Sequence, residues 1–305
     1  MSPVRIATRE SDLALWQARH VARLIEAELG EATELVPLTT TGDRLQEVSL
    51  AKVGGKGLFV KEIEAALLDR RADVAVHSTK DLPGESPELL GFAAFPARAD
   101  PRDALVSERV DRLAALPEGA RVGTGSVRRR AQLLRLRPDL EIVPLRGNVP
   151  TRLRRLNELE LDAVILACAG LDRLELSDHI RERIEPEQLL PAVGQGALAV
   201  QSRRDDPLSE RLRVLHDRRS GAPLAAERAC QAALGADCHV PLGVHGVWKG
   251  DALWVRARLL SPDGKEAIER DIEGAATDAE RLGARLADAL VDAGGKALLE
   301  AGRET

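Results

Sequence analysis

The stretch RVGTGSVRRRAQLLRL, Arg121–Leu136, opens with four residues of strand character, turns through glycine and hydroxyl side chains, and continues with apolar residues at helical spacing. It predicts a strand over Arg121–Thr124 and a helix over Val127–Leu136. Such a turn leaves free backbone N–H groups and the positive end of a helix dipole at the C-terminal edge of the strand. Downstream the pattern continues with a strand over Glu141–Leu145, a helix over Thr151–Leu159 and a strand over Asp162–Cys168. Upstream the same β-α-β-α-β order is present. Strands are expected at Arg5–Thr8, Glu34–Thr40 and Asp73–His77. Leu13, Trp16, Val21, Leu24, Ile25 and Leu29 mark one helix face, and Phe59–Leu68 a second helix. A Pro/Gly-rich passage, Leu82–Asp103, separates the two runs. Two parallel-sheet domains of like topology follow, with ligand expected at the C-terminal strand ends and in the cleft between them.

The remainder of the chain has a different rhythm. Pro223–Leu234 reads as a helix. Val244–Trp248, Ala252–Leu260 and Ala267–Ile272 read as antiparallel strands, with turns at Lys249-Gly250-Asp251 and Ser261-Pro262-Asp263-Gly264. Asp278–Ala293 reads as a closing amphipathic helix. The fold class expected is therefore α/β, in two domains, plus a smaller C-terminal α+β domain. A chain of 305 residues suits two or three domains.

Arg121–Arg155 holds ten arginines and two acids, inside a chain of formal net charge −5. Arginine forks match carboxylates and phosphates, because two parallel N–H donors meet two oxygens in one plane. Of the 44 basic residues 37 are Arg, so part of the excess is compositional. Three Trp, three Phe and no Tyr supply few stacking platforms for single-stranded nucleic acid, and the acidic balance argues the same way. No apolar run reaches membrane-spanning length, and the N-terminus lacks a charged start followed by an apolar segment. Three widely spaced cysteines fit a reducing compartment better than a disulfide framework, and the expected location is the cytoplasm.

Polar side chains gather where the strands end: Thr8-Arg9-Glu10-Ser11, Ser78-Thr79-Lys80-Asp81, Thr124-Gly125-Ser126, Arg146-Gly147-Asn148 running to Arg152, and Arg173. Arg128 and Arg129 fall on the first turn of a helix, where they oppose its dipole and destabilise it unless an anion is present. Any one of these arginines alone is best read as a solvated surface charge; at five strand ends jointly they point to an anionic ligand. Asp81 is either a turn carboxylate or a lone acid in basic surroundings, suited to stabilising a cation or moving protons. His77 reads as a satisfied strand-end histidine. Gly54-Gly55-Lys56-Gly57 lacks the spacing of a nucleotide phosphate loop, and a mobile glycine-rich lid over Gly42–Gly57 is expected instead. Cys168 and Cys230 read as core. Cys238 falls in a loop, as an incidental thiol or a nucleophile. Cys238, His239 and His245 lack zinc-site spacing, so no metal is expected.

The motifs Arg5-Ile6-Ala7-Thr8-Arg9, Gly54-Gly55-Lys56-Gly57-Leu58-Phe59, His77-Ser78-Thr79-Lys80-Asp81-Leu82-Pro83, Leu145-Arg146-Gly147-Asn148, Pro191-Ala192-Val193-Gly194-Gln195-Gly196-Ala197 and Cys238-His239-Val240-Pro241-Leu242-Gly243 occur in this order. Together they resemble the porphobilinogen deaminase (hydroxymethylbilane synthase) family from end to end. The resemblance implies a transferase that condenses four porphobilinogen molecules head to tail, releasing ammonia. The chain grows on a dipyrromethane cofactor thioether-linked to Cys238. Each ring carries an acetate and a propionate, which explains the arginines. Asp81 is implied as the catalytic carboxylate, stabilising the electron-poor azafulvene left when ammonia departs, with Arg9 near the proton transfer. Lys80, Thr124, Ser126, Arg128, Arg129 and Arg146 are implied as cofactor contacts, and Arg9, Ser11, Arg152 and Arg173 as substrate contacts.

The same resemblance implies domains like those of periplasmic binding proteins, over 1–98 with 197–215 and over 99–196. A C-terminal domain over 216–305 would carry the cysteine loop. It also implies a cytoplasmic monomer that binds neither nucleic acid nor membrane. Three departures from the family pattern cover four positions. Ala236 and Asp237 stand where two glycines are usual, Gly125 where a serine is usual, and Pro150 where a more flexible residue is usual.

Overall fold

The computed structural model describes residues 2–40, 60–84, 86–237 and 239–303. The expected glycine-rich lid at Gly42–Gly57 and the thiol of Cys238 lie outside the described residues. The described elements are, in chain order, β1 (Val4–Arg9), α1 (Asp12–Leu29), β2 (Thr33–Leu38), α2 (Lys61–Leu68), β3 (Val74–Ser78), β4 (Leu90–Ala94), β5 (Asp103–Val106), β6 (Arg121–Thr124), α3 (Val127–Leu136), β7 (Glu141–Pro144), α4 (Val149–Glu158), β8 (Ala163–Ala167), α5 (Cys168–Arg173) and β9 (Ile180–Ile184). There follow β10 (Leu198–Arg203), α6 (Pro207–Arg211), α7 (Arg218–Ala233), β11 (Leu242–Lys249), β12 (Ala252–Leu260), β13 (Ala267–Ala275), α8 (Ala279–Leu290) and α9 (Lys296–Arg303). They fall into two compact units, residues 1–99 with 197–221 and residues 100–196 with 222–305.

The first unit is built on the sheet β2-β1-β3-β10-β4. β1 runs parallel to β2 and β3, while β10 is antiparallel to β3 and β4. Ala18, Val21, Ala22 and Ile25 of α1 cover one face against Ile6, Val74, Val76, Leu198 and Val200. Ile63, Ala66 and Leu67 of α2 cover the other against Ala7, Ala75 and Leu90. A sheet covered on both faces buries side chains on both sides of its central strands, as in β3, where Val74, Ala75, Val76 and His77 are all buried. Burying each Ile or Leu of this kind contributes roughly 1.5–3 kcal/mol.

The second unit repeats the plan with the sheet β7-β6-β8-β5-β9. β6 is parallel to β7 and β8, and β5 is antiparallel to β8 and β9. The sheet β11-β12-β13 is antiparallel throughout. Leu282, Leu286 and Leu290 of α8 pack on its apolar face, formed by Val244, Leu253, Val255, Ala257 and Leu259. Its other face is polar, with the Trp254 indole N–H donating to Asp271 at 2.8 Å and Arg258 paired with Glu269. Arg258 Nη1 also donates to Gln132 of α3 at 2.8 Å.

The two five-stranded sheets are therefore mixed, a correction to the parallel sheets expected. The parallel order expected is present in three strands of each; the fourth and fifth come from segments whose local sequence gave no strand signal. β4 lies within the Pro/Gly-rich passage, and β5, a fully buried run of four residues, begins at its end. β9 and β10 were likewise not anticipated. Further differences lie at element ends. α4 begins at Val149 because Asn148 caps it, its side chain accepting from Thr151 N–H, with Pro150 in the first turn. Cys168, expected at the end of a strand, opens α5. The closing helix breaks near Gly294, at φ 97°, and α9 follows.

Candidate active site

In the second unit the site is built at the C-terminal ends of β6, β7 and β8. Thr124 ends β6 with its hydroxyl buried, accepting from Ser126 N–H at 3.2 Å. Ser126 caps α3, accepting from Arg129 N–H at 3.4 Å. Beyond β7, Leu145 N–H donates to Thr124 O, and Arg146 and Gly147 lead to the Asn148 cap. Arg152 Nε donates to Gly147 O at 2.8 Å, and Arg155 Nη1 to Arg146 O at 3.1 Å. Both Arg146 and Arg152 are half-buried. α5 continues from β8 and ends at Arg173, which is 9% exposed and donates to Gly196 O at 2.7 Å. Burial pushes the Arg173 guanidinium down to about 10, with neighbouring Asp172 opposing, so it remains a cation at neutral pH.

Arg128 and Arg129, each 4% exposed, face an anion that belongs to the protein. Asp103 Oδ2 accepts from Arg128 Nη2 at 2.8 Å, and Oδ1 accepts from Arg129 Nε at 2.9 Å and Nη2 at 2.7 Å. Burial pushes the Asp103 carboxyl up, but the two guanidiniums outweigh it and hold the group at about 2. The antiparallel direction of β5 causes this meeting: its first residue, Asp103, pairs with Ala167, the last residue of β8. The expected anion at this helix start is thus in part an internal carboxylate. Arg128 keeps one donor, Nε, buried and without a partner among the described residues.

Several other arginines of the 121–155 stretch are also matched within the protein. Arg121 reaches Glu141, Arg137 reaches Asp139 and Arg154 reaches Glu158. The guanidiniums at the strand ends suit carboxylate groups. An orphaned buried Arg128 Nε, a buried cationic Arg173 and a Thr124–Ser126 hydroxyl turn fit a cofactor that is itself a polycarboxylate.

The first unit has a matching edge. Arg9 ends β1, half-buried, and Ser11 caps α1, accepting from Ala14 N–H. The adjacent β3 ends at Ser78, whose hydroxyl accepts from Gln17 Nε2 at 2.8 Å. A 3-10 turn, Thr79–Asp81, then presents Lys80 and Asp81 to solvent. The turn is held by Thr79 N–H on Ala197 O at 3.0 Å and Leu82 N–H on Thr79 O at 3.2 Å. Arg9, Ser11, Lys80 and Asp81 are thereby gathered at the ends of two neighbouring strands. His77 is buried, with Nε2 at 2.9 Å from Gln201 Oε1, a packed histidine as expected.

Cys168 and Cys230 are buried, and burial pushes both thiols up to about 12. Around position 238, Asp237 Oδ1 accepts from His239 N–H at 2.9 Å, and Val240 N–H donates to Asp237 O at 3.2 Å. Among the described residues the non-glycine positions with positive φ are Arg70, Glu160 and Glu175. Ala236 and Asp237 therefore adopt no conformation that requires glycine; Gly235, at φ 56°, takes that position. His245 Nδ1 lies 3.4 Å from the buried Glu227.

Asp103, Gln195 and Glu227 are the polar residues of this region that local sequence did not single out. For Asp103 a signal existed in the acid directly before the apolar run Ala104–Val106.

Residues 4–211 match the family described as "Porphobilinogen deaminase, dipyromethane cofactor binding domain", and residues 223–292 match "Porphobilinogen deaminase, C-terminal domain". A porphobilinogen deaminase from Trichlorobacter lovleyi is 49% identical over 299 residues, covering 97% of this chain and 96% of that one. Among solved structures, a nutrient binding protein from Burkholderia cenocepacia bound to methionine has a TM-score of 0.43 at 14% identity, covering 68% of this chain and 89% of that one. The periplasmic VFT2 domain of Bordetella pertussis BvgS has a TM-score of 0.42 at 16% identity, covering 69% and 85%. At this level of similarity the two structures bear on neither ligand nor reaction. With two family domains matched in order and a relative of this identity over nearly its whole length, the chain belongs to the porphobilinogen deaminase family.

Proposed function

We propose that this enzyme, which condenses four porphobilinogen molecules into hydroxymethylbilane on a dipyrromethane primer, uses Asp81 as its catalytic carboxylate, Cys238 as the tether and the strand-end arginines as carboxylate clamps. The observation that carries this reading is the set of donors at the ends of β6, β7 and β8, with Arg128 Nε buried and unmatched among the described residues. Thr124, Ser126, Arg128, Arg129, Arg146 and Lys80 would hold the acetates and propionates of the dipyrromethane. When bound, that group supplies the free pyrrole α-carbon at which each new ring is added.

Asp81 acts on the substrate. Loss of ammonia leaves positive charge on a pyrrole nitrogen, and a carboxylate held on a short turn stabilises it without reorganising. Arg9, Ser11, Arg152 and Arg173 bind substrate acetate and propionate, each charge-assisted hydrogen bond contributing about 1.5–3 kcal/mol. Arg9 is also assigned a place near the proton transfer. Cys238 is favoured as tether because the other two thiols are buried and held protonated. The same reading makes the protein a cytoplasmic monomer that engages neither nucleic acid nor membrane. The negative net charge argues against nucleic acid and the free cysteines suit a reducing compartment.

The test is the intact mass of the purified protein beside its Cys238→Ser variant, each after incubation with porphobilinogen. An excess of two linked pyrroles on the wild type, absent from the variant, is expected. The same two-pyrrole excess on the variant would remove Cys238 from its role.

A further inference from the structure

Asp103 has no part in the roles above, yet it organises two residues that do. It is 0% exposed and accepts four hydrogen bonds: one from Arg128, two from Arg129 and one from Gln195 Nε2 at 2.9 Å. Arg128 Nη1 donates to Leu190 O at 2.6 Å and Arg129 Nη1 to Ile165 O at 3.0 Å, while Arg129 Nη2 also reaches Gln195 Oε1 at 3.5 Å. Gln195 Nε2 is itself held by Pro101 O at 2.6 Å. A guanidinium is planar, with its donors in fixed directions. Once both Nη atoms of Arg128 are engaged, its plane is set and Nε is the nitrogen left without a partner among the described residues. Two cations and one carboxylate also leave the buried trio with one net positive charge. Without the carboxylate the two guanidiniums would repel each other and turn apart.

We propose that Asp103, steered by Gln195, is a positioning residue for carboxylate recognition: it holds Arg128 and Arg129 side by side so that Arg128 Nε is presented, already oriented, to a carboxylate of the dipyrromethane. This rests on the site assignment under Proposed function. An asparagine at 103 would offer one acceptor and, in place of the second, an amide donor facing guanidinium donors. A glutamate keeps the charge and both acceptors.

The experiment compares wild type, Asp103→Asn, Asp103→Glu and Gln195→Leu, each produced without cofactor and then incubated with porphobilinogen. Thermal unfolding reports the fold, and intact mass reports the fraction carrying two linked pyrroles. Folded Asp103→Asn is expected to load about tenfold less than wild type, the scale of one lost charge-assisted hydrogen bond. Asp103→Glu is expected to recover a substantial part of that loss. Gln195→Leu keeps both ion pairs but frees the carboxylate to rotate, so it is expected to load less than wild type; it carries the test if Asp103→Asn does not fold. Wild-type loading in folded Asp103→Asn, or in Gln195→Leu, would show that Asp103 only stabilises the fold and overturns the proposal. A wild type that takes up no pyrroles would overturn the site assignment itself, and is distinguished by the wild-type mass alone.

Discussion

Gly125 lies directly against the carbonyl oxygen of Leu145: a Cβ built at Gly125 would meet that oxygen closer than side chains in folded proteins ever do. The contact follows from the pairing of β6 with β7, in which Leu145 N–H donates back to Thr124 O. A side chain at 125 therefore fits only if the local backbone shifts. Gly125→Ser is expected to destabilise by about 1–3 kcal/mol through overpacking. That corresponds to a fall in Tm of roughly 2–10 °C. An unchanged Tm by calorimetry would mean that the β7 end shifts freely to admit the side chain.

Asp81 and Lys80 share one short turn and are both exposed. Asp81→Asn keeps the shape and removes the charge. Its kcat is expected to fall about 100-fold or more, the scale of losing one preorganised electrostatic contact. Its two-pyrrole mass excess should remain. Near-normal turnover would remove Asp81 from the catalytic role.

Cys168 and Cys230 are buried with their thiols held protonated. Native Cys238→Ser protein should therefore take up no thiol-reactive label over minutes at neutral pH, and two labels once unfolded. Rapid labelling of the native variant would show that one of these cores opens.

Glu64 of α2 is buried and accepts from Gln201 Nε2 at 2.8 Å. Burial raises its carboxyl above the ordinary value near 4.5, against the opposing hydrogen bond from Gln201. A raised acid contributes its full stability below that ordinary value and loses it as pH rises through the elevated one. Glu64→Gln removes the loss. Its Tm should match wild type near pH 4 and exceed it near pH 8; a lower Tm at pH 8 would show that the ionised carboxylate is needed.

The helices were legible wherever a local cap and a 3.6-residue period coincided, as at Ser11 for α1 and Ser126 for α3. The strand-end placement of Arg9, Lys80, Asp81, Thr124 and Arg146 was legible too, because strand, turn and helix signals sit within a few residues of one another; Arg173 instead ends the helix that follows β8. β4 and β5 were hidden by short length and by the prolines and glycines around them. Arg128 and Arg129 were seen as cations in need of an anion, but not as cations that already had one.

By itself, the sequence determined three strands and two helices of each β-α-β-α-β run, the residues at those strand ends and the family, since each rests on local pattern or on motifs read along the chain. Only the tertiary structure decided which way the inserted strands run and what each buried charge meets. Asp103 reaches Arg128 across 25 residues and Gln195 across 92. Pairings at that range are set by how the sheets assemble, because partners so far apart share no local periodicity and meet only when hydrophobic burial closes the fold.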